Sequence, residues 1–231
     1  MRESSPVDLA GAGRYASCSD TTSVVSMGIV VRFTLEPERT RLKLEFMADS
    51  RLIRSPYKGG LKRLDASFYQ GISYVHWTMS LKNQATGWLD ESHHAALRQI
   101  CLHALAREFL CCPAYCLMPD HGHFLWVGYD CRARQPAAVR WMRHEWNQRL
   151  SPMQLQHQPY ESVLREEDRS RNAFADATAY ILRNPERAGL VDDWRDWPFS
   201  GALFPGYPKL DPRKVRFWED FWKAHHKHVN A

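Results

Sequence analysis

The amino-acid sequence predicts an α+β protein, an antiparallel sheet backed by helices, on three observations. The apolar pattern alternates between period two and period 3.6 in the order strand, helix, strand, strand, helix, strand, with a further helix behind. Two of the strands flank a Pro-Asp pair and read as a hairpin. The 231 residues suffice for one good-sized core plus an arm, or at most two small domains.

Each element has its own warrant. Residues 1–60 are rich in Ser, Thr, Gly and charge with only short apolar runs, and read as an arm of low order. Within it, "VVSMGIVVRF" (24–33) is too short to span a bilayer. "SYVHWTMSL" (73–81) alternates as a first strand. Residues 91–110 place Leu97, Ile100, Cys101, Ala104 and Leu105 at helical spacing. "AYCLM" (114–118), the turn at Pro119-Asp120 and "GHFLWVGY" (122–129) form the hairpin. Residues 135–150 are helical, with Pro136 in the first turn where its missing N–H costs nothing. "YESVLR" (160–165) is a fourth strand. Residues 166–184 open with acids, as a helix start prefers, and stop before Pro185. This is the βαββαβ order of a ferredoxin-like antiparallel sheet with an added C-terminal helix. The domain so defined runs over 61–206, and 207–231 is a basic, aromatic tail whose simplest reading is a terminal helix docking by its aromatics.

Composition narrows the function classes. The net charge of +5 is unevenly spread: residues 51–63 carry five Lys or Arg and no acid, and 131–150 carry five Arg against Glu145. Local basic stretches suit a polyanion better than an acidic small molecule. Six Cys without disulfide-framework spacing point to a reduced, cytoplasmic setting. Cys111, Cys112 and Cys116 lack the Cys-x-x-Cys pairs of a zinc knuckle and read as buried small apolar residues.

Two patterns carry chemistry. In "MPDHGHFLWV", His121 and His123 share one strand face with Leu125 and Val127. They are half a metal site, or two histidines hydrogen-bonded near a hairpin end. In the last helix the apolar stripe runs through Phe174, Ala177, Thr178 and Ile181. Tyr180 and Asn184, four apart, lie together on its flank behind small residues that leave room for a ligand.

"CLMPDHGHFLWV", then "AYILRNPERAGLV" about sixty residues later, then "WRDWPFSG" (194–201), resembles the REP-associated tyrosine transposases. These are single-tyrosine HUH transposases of bacterial insertion sequences, and the resemblance covers roughly 62–206 in the family's order and spacing. It implies that His121 and His123 hold a divalent cation and that Tyr180, on what is then the catalytic helix, attacks a phosphodiester of single-stranded DNA. Asn184 matches the third metal ligand. Gly122 departs from the pattern, because the motif's central residue is normally bulky and hydrophobic, and glycine loosens a strand. The resemblance further implies a 5′-phosphotyrosyl link, a free 3′-hydroxyl, and a hairpin of repetitive palindromic DNA as partner. It leaves monomer and homodimer both open.

These residue types suit that reaction. A phenol of pKa near 10 is about 0.1% ionised at pH 7, roughly 4 kcal/mol from its reactive form. A cation on the scissile phosphate offsets part of that. Neutral His and Asn ligands favour Mg²⁺ or Mn²⁺ over Zn²⁺. Lys58, Lys62 and Arg63 ahead of the first strand, with Arg140, Trp141 and Arg143 in the second helix, are expected to hold phosphates and stack bases. Two other readings stand beside this one. A domesticated nickase shares the chemistry. A non-catalytic nucleic-acid module would instead use Phe124 and Trp126, on one face of their strand, to stack bases.

Overall fold

The computed structural model describes residues 63–164 and 173–229 in full, and the backbone of 21–26 and 29–34. The first sixty residues contain one described feature, the antiparallel hairpin of β1 (Thr21–Ser26) and β2 (Ile29–Thr34). Lys58 and Lys62 lie outside the described residues, as do the end of the predicted fourth strand (165) and the opening of the last predicted helix (166–172).

From residue 63 the elements are β3 (Tyr74–Ser80), α1 (Glu91–Arg107), β4 (Leu110–Leu117), β5 (His121–Gly128) and α2 (Gln135–Leu150). They continue with β6 (Tyr160–Val163), α3 (Ala173–Leu182), the short α4 (Asn184–Arg187), β7 (Ser200–Leu203) and α5 (Phe217–Val229). The sheet order is β6-β3-β5-β4-β7, every neighbour antiparallel. Its first four strands have the ferredoxin-like order, and β7 adds a fifth on the β4 edge. Sequence reading missed β7, a four-residue strand with no alternation to reveal it.

Local chemistry sets the element ends. The Asp90 carboxylate caps α1 by accepting from the His93 N–H at 2.7 Å. Pro occupies the first turn of α2, as predicted. The helix predicted over 91–110 stops at Arg107, because Phe109 takes a left-handed φ of 55° and turns the chain into β4. That strand starts four residues before the predicted one and absorbs Pro113 in a register shift between Cys111 and Ala114, where a missing N–H breaks no ladder bond. The last helix is interrupted at Arg183 (φ −88°, ψ 5°), and the chain continues through Pro185 in α4.

Alternation along the strands separates two cores. Val75, Trp77, Tyr115, Phe124 and Trp126 pack with α1 and α2 on one face. Tyr74, Cys111, Cys116, Leu125 and Val127 pack with α3 and α5 on the other. Cys111, Cys112 and Cys116 are fully buried, and burial pushes their thiols up, as their apolar reading requires. The tail forms the docked helix: Phe217, Phe221 and Trp222 of α5 are buried against the second core, and His225 Nε2 reaches the Gly128 carbonyl at 3.2 Å. Phe124 and Trp126 are 1% and 0% exposed. No base can stack on them, which removes the observation behind the non-catalytic module.

Gly122 does not loosen the sheet. It sits in the central strand, paired with Met79 on one side and Leu117 on the other. A Cβ there would lie 3.0 Å from the Phe124 ring and 3.1 Å from Leu117 Cδ2. Neighbouring side chains fill the space that a bulky residue would take. Among the described residues no helix is long and apolar enough to cross a membrane.

Candidate active site

The register of β3 against β5 pairs Thr78 with His123, His76 with Leu125 and Ser80 with His121. Directly paired residues point the same way, so His76, Thr78, His121 and His123 all rise from the face that carries α3. They form the polar end of an otherwise apolar row.

The two histidines of the hairpin converge. His121 Nε2 and His123 Nε2 are 3.0 Å apart, with ring planes at 89°. Asp120 Oδ1 lies 2.6 Å from His121 Nδ1. The carboxylate can only accept there, so Nδ1 carries the proton and Nε2 presents a lone pair. On His123, Nδ1 meets Thr78 Oγ1 at 3.1 Å and His76 Nε2 at 3.0 Å. Burial, with the neighbouring His76, His121 and Arg187, holds His123 well below the usual histidine range. Burial takes His76 down to about 4. Both imidazoles are therefore neutral near pH 7, the form that ligates a cation.

Two imidazole nitrogens this close could share one divalent cation. Two nitrogens at about 2.1 Å from one ion and at right angles are about 3.0 Å apart, whereas a tetrahedral angle would spread them to about 3.4 Å. An N–H···N hydrogen bond has the same length, so the 3.0 Å spacing names no particular ion. Among the described residues no group of three or more His, Cys, Asp and Glu has the geometry to hold a metal. His76 does not complete one, because it faces the opposite nitrogen of His123.

Tyr180 stands beside this pair. From α3 its ring centroid lies 5.6 Å from that of His123 and 6.0 Å from that of His76. Arg187, from α4, holds its guanidinium carbon 4.5 Å from the Tyr180 ring centroid, the geometry of a cation over an aromatic face. Asn184 follows one turn after Tyr180, and its Nδ2 donates to the Tyr180 carbonyl at 2.9 Å. That bond fixes the orientation of the amide. No hydrogen bond joins Asn184 to either histidine.

The basic residues lie elsewhere. Arg140 and Trp141 line a shallow cleft of about 410 Å³ between α1 and α2, with Arg107 and His144. Arg107 covers the Trp141 ring at 5.4 Å. The guanidinium of Arg143 donates to the Gln156 carbonyl. Arg63 pairs with Glu161 at 3.5 Å and lies 5.8 Å from the Trp77 ring. All four are on the α1–α2 side of the sheet, opposite Tyr180.

Four residues of the site were absent from the sequence reading. His76 and Thr78 belong to a strand whose cross-strand partners no single-strand pattern reveals. Asp120 was visible only as a turn residue. Arg187 lies beyond Pro185, outside the helix frame that picked out Tyr180 and Asn184.

No protein-family model and no curated protein sequence matches the chain. Among solved structures it is similar to a REP-associated tyrosine transposase bound to a REP hairpin, at 20% identity and a TM-score of 0.52. The alignment covers 62% of this chain and 81% of that one. At that identity the likeness establishes a shared fold.

Proposed function

We propose that this protein is a metal-dependent single-stranded DNA transesterase of the REP-associated tyrosine transposase type, which nicks beside a repeat hairpin and rejoins the strand. The observation that carries the reading is the placement of Tyr180 5.6 Å, ring to ring, from a histidine whose Nε2 converges with a second histidine at 3.0 Å. The shared fold with a transposase bound to a REP hairpin supports the class of partner.

His121 and His123 would hold Mg²⁺ or Mn²⁺, with Asn184 Oδ1 as the candidate third protein ligand. The bound ion supplies a positive charge that polarises the scissile phosphate. The Tyr180 hydroxyl loses its proton as its oxygen attacks phosphorus. The bond from phosphorus to the 3′-oxygen breaks, that oxygen takes up a proton, and a 3′-hydroxyl leaves. The 5′-phosphate stays on Tyr180, so a 3′-hydroxyl can attack in turn and restore a phosphodiester. Arg187, over the Tyr180 face and with no carboxylate partner among the described residues, offers two N–H groups to the phosphate oxygens. Whether the rejoined strand moves to a new place or returns to its own is the difference between a transposase and a domesticated nickase, and the chemistry is common to both.

The test is a radiolabelled hairpin with a single-stranded flank, incubated with protein and Mn²⁺. Denaturing gels should show an adduct on the 5′ end of the fragment lying 3′ to the cut, with a free 3′-hydroxyl on the other fragment, and peptide mass mapping should place the adduct on Tyr180. Tyr180→Phe should lose the adduct and keep DNA binding. An adduct of equal yield in Tyr180→Phe would place the nucleophile elsewhere and end the proposal.

A further inference from the structure

We infer that His76 is a positioning residue that accepts the Nδ1 proton of His123 and so holds that ring with its Nε2 lone pair toward the cation. The inference rests on the metal reading of His121 and His123.

The geometry leaves His123 little choice. Its Nε2 converges with His121 Nε2, so in the ligand form Nε2 must be unprotonated and Nδ1 must carry the hydrogen. That hydrogen needs an acceptor, since the ring is 5% exposed and water does not supply one. Two atoms are in reach, Thr78 Oγ1 at 3.1 Å and His76 Nε2 at 3.0 Å. The Thr78 hydroxyl both donates and accepts, so it accommodates either tautomer and specifies neither. His76 Nε2 does one or the other according to its tautomer: in the tautomer we infer, with Nε2 bare, it can only accept, which fixes the ring and raises the basicity of the ligating nitrogen.

A second observation separates His76 from an ordinary buried histidine. Its ring lies 5.1 Å from His123 and 6.0 Å from Tyr180, centroid to centroid. Apart from those two residues themselves, it is the only described side chain in ring contact with both. One strand residue thereby ties the aim of a ligand on β5 to that of the tyrosine on α3. Neither the hairpin motif nor the helix motif contains it.

The experiment measures Mn²⁺ affinity of the full chain without DNA, from the free-ion signal in electron paramagnetic resonance. The proteins are wild type, His121→Ala, His76→Leu and His76→Gln. His121→Ala should lose binding. His76→Leu, which keeps bulk but offers no acceptor, should bind roughly 10- to 100-fold more weakly. His76→Gln, whose Oε1 can stand where Nε2 stood, should recover most of that loss. Wild-type affinity in His76→Leu, with binding lost in His121→Ala, would overturn the inference and leave the metal reading intact. Equal losses in His76→Gln and His76→Leu would overturn it too, because the residue would then matter only as packing. Equal Mn²⁺ binding by wild type and His121→Ala would instead sink the metal reading. Should His76→Leu fail to fold, ¹⁵N spectra of the Mg²⁺-loaded wild type decide the question. An unprotonated His76 Nε2 supports the inference, and a hydrogen on it refutes it.

Discussion

Restoring a bulky residue at position 122 should destabilise the protein, although the motif it resembles has one there. In Gly122→Val the new Cβ would lie 3.0 and 3.2 Å from two carbons of the Phe124 ring and 3.1 Å from Leu117 Cδ2. Ordinary carbon contacts are about 3.5–4.0 Å, so both neighbours, Phe124 and Leu117, must give way. Phe124 is 1% exposed and wedged against Tyr115, Trp126 and Trp146 at centroid distances of 6.4, 6.5 and 6.2 Å. It has nowhere to retreat. Valine does gain about 0.5–1 kcal/mol, from lost freedom of the unfolded chain and better strand propensity. Overpacking of a tight core costs about 1–3 kcal/mol, and the valine methyl groups add to the Cβ clash, so the net loss should be about 2 kcal/mol.

Urea unfolding, followed by tryptophan fluorescence, reads this out. With a slope of about 3 kcal/mol/M, a loss of about 2 kcal/mol lowers the midpoint by roughly 0.7 M. The second change Phe124→Leu, destabilising by itself, should cost less in the Gly122→Val background, since it vacates the contested space. An unchanged or raised midpoint in Gly122→Val would refute the reasoning, because it would mean that the strand was loose at Gly122 after all. Mn²⁺ affinity should fall with stability, as His121 and His123 flank the strained position.

Two further outcomes follow from the site and its support. Arg187→Ala should slow cleavage roughly 10²-fold, the scale for losing one donor to a transition-state oxygen. Arg187→Lys should fall between, since it keeps the charge and loses the fork; a wild-type single-turnover rate in Arg187→Ala would remove the residue from the chemistry. His225 gives a pH signature, because burial, ahead of the neighbouring His226 and His228, lowers it from 6.5 to about 4. A folded-state value below the unfolded one means stability is intact above pH 6.5 and is lost as pH falls towards 4, by about 2 kcal/mol at pH 5. The urea midpoint should therefore drop between pH 7.5 and 5 more in wild type than in His225→Phe, and equal drops would show that His225 stays solvated.

What the sequence revealed depended on whether a feature is local. The hairpin at 118–127 and the helix 135–150 were legible because a Pro-Asp turn, strict alternation and an N-terminal Pro are all signals within a few residues. The end of α1 was not, since the left-handed residue there is Phe109 rather than glycine. The start of β4 was misplaced because Pro113 looks like a strand breaker until a register shift accommodates it. The candidate site divides along the same line. His121, His123 and Tyr180 belong to short motifs, whereas His76 and Thr78 reach His123 only through the β3–β5 register, a pairing between residues more than forty apart. The basic residues failed differently. Their charge was visible, but α2 turns Arg140 and Trp141 away from Tyr180, and composition carries no direction.

The side on which α5 packs explains how one end of the sheet stays open for chemistry. An antiparallel sheet with α1 and α2 on one face leaves the other face to be covered, and α3 alone is ten residues long. Phe217, Phe221 and Trp222 of α5 close the apolar part, where Val127 is 0% exposed. They stop short of the other end of the same row, where the His121 side chain remains 24% exposed. The same contacts hold α3 itself. Phe174, near its start, meets Trp218 and Trp222 at 5.6 and 5.3 Å, and Asn184 beyond its end ties its amide to the Tyr180 carbonyl. Tyr180 stands six residues after Phe174, about 9 Å along the axis at 1.5 Å per residue. Tyr180 is thus carried by a helix fixed on both sides of it, with its ring beside the buried His123 and the part-exposed His121 next to it. In-line attack needs that combination, because an ångström of misplacement can cost roughly 10²-fold in rate. If Tyr180 is the nucleophile as proposed, helix α5 therefore supports it from a distance, through Phe174 of α3.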